Sequence, residues 1–149
     1  MHWTERYADR VLSLEDAARL VGPGDRVMGG LPEPAPFLEA LAARDDLSGV
    51  QVYLGAPRAG GVAVAANPGV TLFAGFLTEA MRTSQAPAEV LPVHFSGWAP
   101  FIRRWQPRVR VVLVAEPTDD GAVHPGSSVA NDDELVSGTV RPDDAIVIG

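Results

Sequence analysis

Strand-length apolar runs rich in β-branched residues, separated by stretches with helical spacing, constrain this 149-residue chain more than any other feature. Val50-Gln51-Val52-Tyr53-Leu54, Val70-Thr71-Leu72-Phe73 and Val109-Arg110-Val111-Val112-Leu113-Val114-Ala115 run apolar more than they alternate, as strands covered on both faces do. Between them, Leu14, Ala17, Ala18 and Val21, then Phe37, Leu38 and Leu41, then Trp98, Phe101, Ile102 and Trp105 recur at helical spacing. Strands alternating with helices in this way imply βαβ units. The expected fold is therefore α/β, a mostly parallel open sheet with helices on both faces, built as a single domain over residues 1–149.

Local signals place the other elements. Ser13-Leu14-Glu15-Asp16 has the form of a capping box, and Gly22-Pro23-Gly24 ends the helix it opens. Arg26-Val27-Met28 reads as a strand, and Pro34 or Pro36 suits the first turn of the next helix. Residues 55–69, rich in Gly, Ala and Pro, show no period and receive no assignment. Residues 78–83 read as a helix opened by Thr78. Residues 90–95 read as a strand in which Pro92 argues for an edge or a bulge. Ser96 is placed as the cap of the Trp98 helix, a further helix is expected near residues 131–136, and residues 144–149 begin a last strand. That strand has no helix after it, which leads us to expect a neighbour from another polypeptide segment.

Composition removes whole classes of chemistry. The chain has no Cys, which excludes disulfides, thiolate zinc sites and Cys nucleophiles. All 12 cations are Arg, so no lysine is available for Schiff-base or P-loop chemistry. A net charge of -7 repels a phosphate backbone, and the basic cluster Arg103, Arg104, Arg108 and Arg110 reads as a helix end and a strand start rather than a nucleic-acid surface. No run of about 18 apolar residues occurs and the opening residues are charged, so neither a membrane span nor a signal peptide is expected, and the cytoplasm fits best. Gly29-Gly30 lacks the Gly-x-Gly-x-x-Gly spacing of a dinucleotide fingerprint. His124 near Asp119, Asp120 and Asp132 matches no metal-ligand spacing, so no metal is expected. His94 reads as an ordinary strand or strand-end histidine, and Ser127-Ser128 lacks the context of a nucleophile elbow.

In open parallel sheets ligands gather at the carboxyl ends of strands. Two loops there carry suitable residues. Gly29-Gly30-Leu31-Pro32-Glu33-Pro34 sets flexible backbone before a helix amino terminus, where an anion can be received. Glu116-Pro117-Thr118-Asp119-Asp120-Gly121, followed by Gly126-Ser127-Ser128, brings acidic and small residues to the same edge.

In their order along the chain, Tyr7, Ala17-Ala18, Gly24 to Pro34, the valine-rich run to Ala115, the loop after it and His124-Pro125-Gly126-Ser127-Ser128 resemble the amino-terminal half of the acetyl-CoA hydrolase/transferase family, which includes the 4-hydroxybutyrate CoA-transferases. The resemblance implies a CoA-transferase (NagB/RpiA-like) Rossmann-type domain. It implies acyl transfer in which a glutamate attacks an acyl-CoA thioester, CoA converts the mixed anhydride to an enzyme thioester, and a second carboxylate accepts the CoA. That glutamate and the CoA-binding glycine loop belong to the family's second half, so no catalytic residue carries over to this chain. The expected substrate-binding residues are Gly29, Gly30, Glu33, Glu116, Gly121 and Ser127, with the backbone amides of Gly29, Gly30 and Gly121 as oxyanion donors. Coenzyme A is expected as the acyl-CoA substrate and a small carboxylic acid as its partner substrate. A carboxyl-terminal half or second subunit is expected within an oligomer. The chain departs from the family at Glu116, where Ser is commoner, at Thr118, which replaces a proline, and at Asp120, which replaces a histidine. These departures support the alternative of a non-catalytic regulatory or binding module with the same fold, or of a structural partner that only completes another subunit's sheet.

Overall fold

The computed structural model describes residues 2–112, 118, 119 and 146–148. Within them lie helices α1 (Trp3–Arg6), α2 (Leu14–Arg19), α3 (Ala35–Ala42), α4 (Ala59–Ala65), α5 (Glu79–Ser84) and α6 (Trp98–Trp105). The strands are β1 (Arg26–Gly29), β2 (Val50–Leu54), β3 (Val70–Ala74), β4 (Glu89–Val90), β5 (Val109–Val111) and β6 (Ile146–Ile148).

The six strands form one parallel sheet in the order β4-β3-β2-β1-β5-β6. From β1 the chain steps outward through β2 and β3 to β4, then returns across the sheet to place β5 on the other side of β1. Side chains alternate between the two faces, as strand geometry requires. Val27, Val52, Leu54, Leu72, Val109 and Val111 join the core packed under α2, α3, α4 and α5. Met28, Tyr53 and Val112 face the opposite way, where Trp98 and Ile102 of α6 cover them. The α/β architecture with helices on both faces agrees with the expectation from sequence.

The elements form largely where local chemistry places them. Ser13 Oγ accepts from the Asp16 amide at 3.0 Å, opening α2. The Asp16 carboxylate, expected to reach the backbone of Ser13, instead accepts from the Ser13 hydroxyl at 2.9 Å. Arg44 closes the other end of α2: its Nη1 donates to the carbonyls of Ala18 and Val21, both at 2.7 Å, while Nε and Nη2 grip Asp46 at 2.9 Å. Those bonds to Asp46 raise the pKa of Arg44 and, in turn, lower that of Asp46.

Four expectations change. The unassigned residues 55–69 contain α4, whose polar face is missing because α3 and the sheet bury much of it. The strand expected over residues 90–95 pairs only through Glu89–Val90; it is the sheet edge, as Pro92 implied. Ser96 does not cap α6, which starts from Gly97 after a 3₁₀ turn over Phe95–Gly97. Within the basic cluster, Arg103 and Arg104 do end α6 and Arg108 pairs with Asp25 at 2.8 Å, but Arg110 is fully buried in β5. The expected helix near residues 131–136 and the end of the β5 run, residues 113–115, lie outside the described residues.

Candidate functional site

Parallel strands bring all their carboxyl ends to one edge, and the reversal between β1 and β5 splays the chain there. This is the switch point at which open α/β sheets bind ligands. The Gly29-Gly30-Leu31-Pro32 loop leaves β1 at that point. Gly29 has no room for a side chain: a Cβ would lie 2.6 Å from Leu54 Cδ2 and 3.0 Å from Pro34 Cδ. Glycine therefore lets the loop after β1 turn tightly over β2.

Gly30 is buried beside it, and its amide donates to the Val111 carbonyl at 3.0 Å. The sheet thus already uses the amide expected to serve an oxyanion.

Glu33 is buried, and both its carboxylate oxygens point into the start of α4. Oε2 accepts from the amides of Arg58 at 2.7 Å and Gly61 at 3.0 Å, and Oε1 from Gly60 at 2.9 Å. An anion at a helix amino terminus satisfies donors that the helix leaves unpaired and complements its dipole. The helix start expected to receive an anion is that of α3, directly after this loop; the carboxylate of Glu33 goes instead to the start of α4. The sequence entering α4, Arg58-Ala59-Gly60-Gly61, has no Ser, Thr, Asp or Asn to cap it and gives no local sign of Glu33.

Neighbouring loops continue the edge. The Phe76 amide donates to the Gly55 carbonyl at 2.9 Å, and the Thr78 hydroxyl donates to the Pro57 carbonyl. The loops after β2 and β3 are therefore fastened side by side. Phe76, Leu77, Val90 and Leu91 are exposed along this edge, a feature that sequence reasoning missed.

Tyr53, Trp98, Phe101 and Trp105 form an aromatic layer on the α6 face, with Tyr53 and Trp98 at 5.4 Å between centroids and Phe101 stacked on Trp105 at 5.8 Å. Tyr53 donates its hydroxyl to the Leu91 carbonyl at 3.3 Å, tying the aromatic layer to the segment after β4, and burial pushes its pKa up to about 12. The helical aromatic spacing is thus core packing. His94 is exposed and bonds Ser96 Oγ at 2.9 Å, a local contact that His2 repeats with Thr4.

Glu116, Gly121 and Ser127 lie outside the described residues. Thr118 and Asp119 are exposed, and Arg6 Nη1 donates to the Asp119 carbonyl at 3.0 Å, fastening the end of α1 to the loop after β5. No group of three or more His, Asp or Glu suited to a metal ion occurs among the described residues, and none of their helices is long and apolar enough to cross a membrane. A cavity of about 390 Å³ opens between residues 42–47 and 63–68. It belongs to the amino edge of the sheet, away from the strand ends.

No family model matches the chain, and neither does any curated protein. Two solved structures are similar. One is an E249A mutant of RipA, at 17% identity and a TM-score of 0.58, covering 70% of this chain and 28% of that one. The other is eIF2B beta from Chaetomium thermophilum, at 15% identity and a TM-score of 0.51, covering 90% of this chain and 35% of that one. The chain thus spans about a third of the length of the structures it matches. At these identities the likeness establishes the Rossmann-like fold and nothing finer.

Proposed function

We propose that this chain is the amino-terminal component of an acyl-CoA:carboxylate CoA-transferase or acyl-CoA hydrolase. It forms one wall of the cleft for acyl-CoA and a small carboxylic acid, while a separate half supplies the catalytic glutamate. One observation carries the reading: the sheet order puts the switch point between β1 and β5, beside the Gly29-Gly30 loop on which the sequence resemblance rests. The Rossmann-like fold, shared with RipA and eIF2B beta, is the fold that the resemblance implies.

In this reading the chain's residues shape and position. Gly29 and Gly30 let the chain turn tightly at the switch point beside the place taken by the thioester, and Glu33 fastens the start of α4 and the end of the loop after β2 behind it. Glu116, Gly121 and Ser127, which follow β5 in sequence, are the further residues assigned to substrate binding. Coenzyme A enters as the acyl-CoA substrate, in the cytoplasm, and the working unit is an oligomer containing the second half.

Affinity purification of the tagged chain from its source cells tests this. The expected result is a co-purifying polypeptide and a complex that converts acetyl-CoA and butyrate to butyryl-CoA and acetate, read by mass spectrometry. A folded, associated complex that makes no butyryl-CoA and hydrolyses no acetyl-CoA defeats the reading. That outcome instead favours a non-catalytic binding module, the alternative that the departures at Glu116, Thr118 and Asp120 support.

A further inference from the structure

Helices α3 and α4 pack closely at their starts, where only a glycine fits at position 60, and a cavity of about 390 Å³ opens between their ends. Ala43 and Ala66, which close the two helices, both line it. A helix end leaves its last carbonyls without partners and carries partial negative charge, which a cation offsets. Neither helix has a basic residue in its last turn, and the carbonyls of Ala43 and Ala66 accept no hydrogen bond among the described residues.

The charged groups lining the cavity are Arg44 and Asp45. Arg44 is committed elsewhere, since its guanidinium grips Asp46 and the carbonyls of Ala18 and Val21 at the end of α2. Asn67 is committed too, its amide nitrogen to the Ala42 and Arg44 carbonyls and its oxygen to the Gly69 amide. Asp45 is exposed and makes no hydrogen bond or ion pair among the described residues. The cavity therefore presents an uncompensated carboxylate and two helix carboxyl ends, and the one cation lining it is engaged elsewhere. Leu47, Ala63 and Pro68 add hydrocarbon. A bare metal ion does not suit such a lining: a hard cation takes about six or more oxygen ligands, and no group of three His, Asp or Glu suited to one occurs among the described residues. A volume of about 390 Å³ instead matches a small organic molecule.

We propose that this cavity binds a small organic ammonium ion, its nitrogen at Asp45 and the carboxyl ends of α3 and α4, its hydrocarbon against Leu47, Ala63 and Pro68. The site lies at the opposite edge of the sheet from the switch point, so it stands or falls independently of the transferase reading. Helix α3 leaves the switch-point loop and Glu33 of that loop caps α4, so the occupant touches the far ends of both helices that the loop holds.

Amide NMR titration of the chain with phenethylamine is the experiment, with 2-phenylethanol (the same body without the charge) and methylammonium (the charge without the body) as comparison probes. Phenethylamine is expected to give saturable shifts at residues 42–47 and 63–67, with both comparison probes at least about fivefold weaker. Asp45→Asn is expected to weaken phenethylamine by about fivefold and to leave 2-phenylethanol unchanged, because it removes only the charge. Ala66→Phe, which fills part of the cavity from an exposed position, is expected to weaken both by about tenfold. Both substituted residues are exposed, so unchanged spectra elsewhere report an intact fold. Equal affinity for phenethylamine and 2-phenylethanol, wild-type affinity in Asp45→Asn, or shifts that do not saturate or that gather at other residues overturn the site.

Discussion

A carboxylate with three backbone amides around it has little left for a ligand, and Glu33 is in that position. Sequence placed this residue in the loop after β1 and expected it to bind substrate, whereas the structure commits both its oxygens to the start of α4. Its partners lie 25 to 28 residues away in sequence, and no local pattern reports a cap supplied over that distance. Removing it leaves the start of α4 with buried, unsatisfied donors. Glu33→Ala is expected to cost about 2–4 kcal/mol, and Glu33→Gln, which keeps one acceptor oxygen, about half as much. Urea denaturation of both variants measures this. A cost within about 0.5 kcal/mol of zero for Glu33→Ala would show that the three bonds carry no stability. Gly29 and Gly30 were legible in sequence because a glycine pair after a strand has few other uses. The engagement of the Gly30 amide was not, since it depends on which strand lies beside β1.

Helix α4 shows what periodicity misses at the scale of an element. Its sequence Ala59-Gly60-Gly61-Val62-Ala63-Val64-Ala65 has no polar face and two poor helix formers, so propensity argues against it. It forms because Glu33 caps it and because glycine lets it approach α3. A Cβ at Gly60 would sit 2.9 Å from Ala35 Cα and 3.2 Å from Leu38 Cβ. Gly60→Val is therefore expected to destabilise the fold by about 2–3 kcal/mol by forcing α3 and α4 apart, although valine has the better helix propensity. Gly24→Ala provides the contrast. Gly24 has φ +74° and open space around its Cβ position, so only backbone strain of about 1 kcal/mol is expected. Thermal melts that ranked Gly24→Ala as the worse variant would refute the close-approach argument. Helix α2, by comparison, was readable outright, because a Ser13 cap and apolar Ala17 and Ala18 are all local signals.

For the molecule as a whole, Tyr53 links stability to pH. Burial holds its hydroxyl protonated up to about 12, whereas an unfolded tyrosine titrates near 10. The native state thus keeps a proton that the unfolded state has lost. Its contribution is present in full below about pH 10 and disappears as pH rises through about 12. By about pH 11.5 the chain is expected to lose about 2 kcal/mol more than Tyr53→Phe does over the same range from neutral pH, read from urea midpoints. Parallel pH profiles for the two proteins would remove Tyr53 as the cause. The same residue shows where legibility ends. That the run 50–54 is a buried strand was fixed by its own side chains, as were the α/β class, the absence of thiol and lysine chemistry, and the position of the glycine loop, because each follows from residues adjacent in the chain. The tertiary structure alone decided that β5 returns beside β1, that Glu33 caps a helix, that Arg110 is buried, and that the loops carrying Gly55 and Phe76 meet. Each of these joins segments distant in sequence, and their meeting depends on the packing of the whole sheet rather than on the preference of any one stretch.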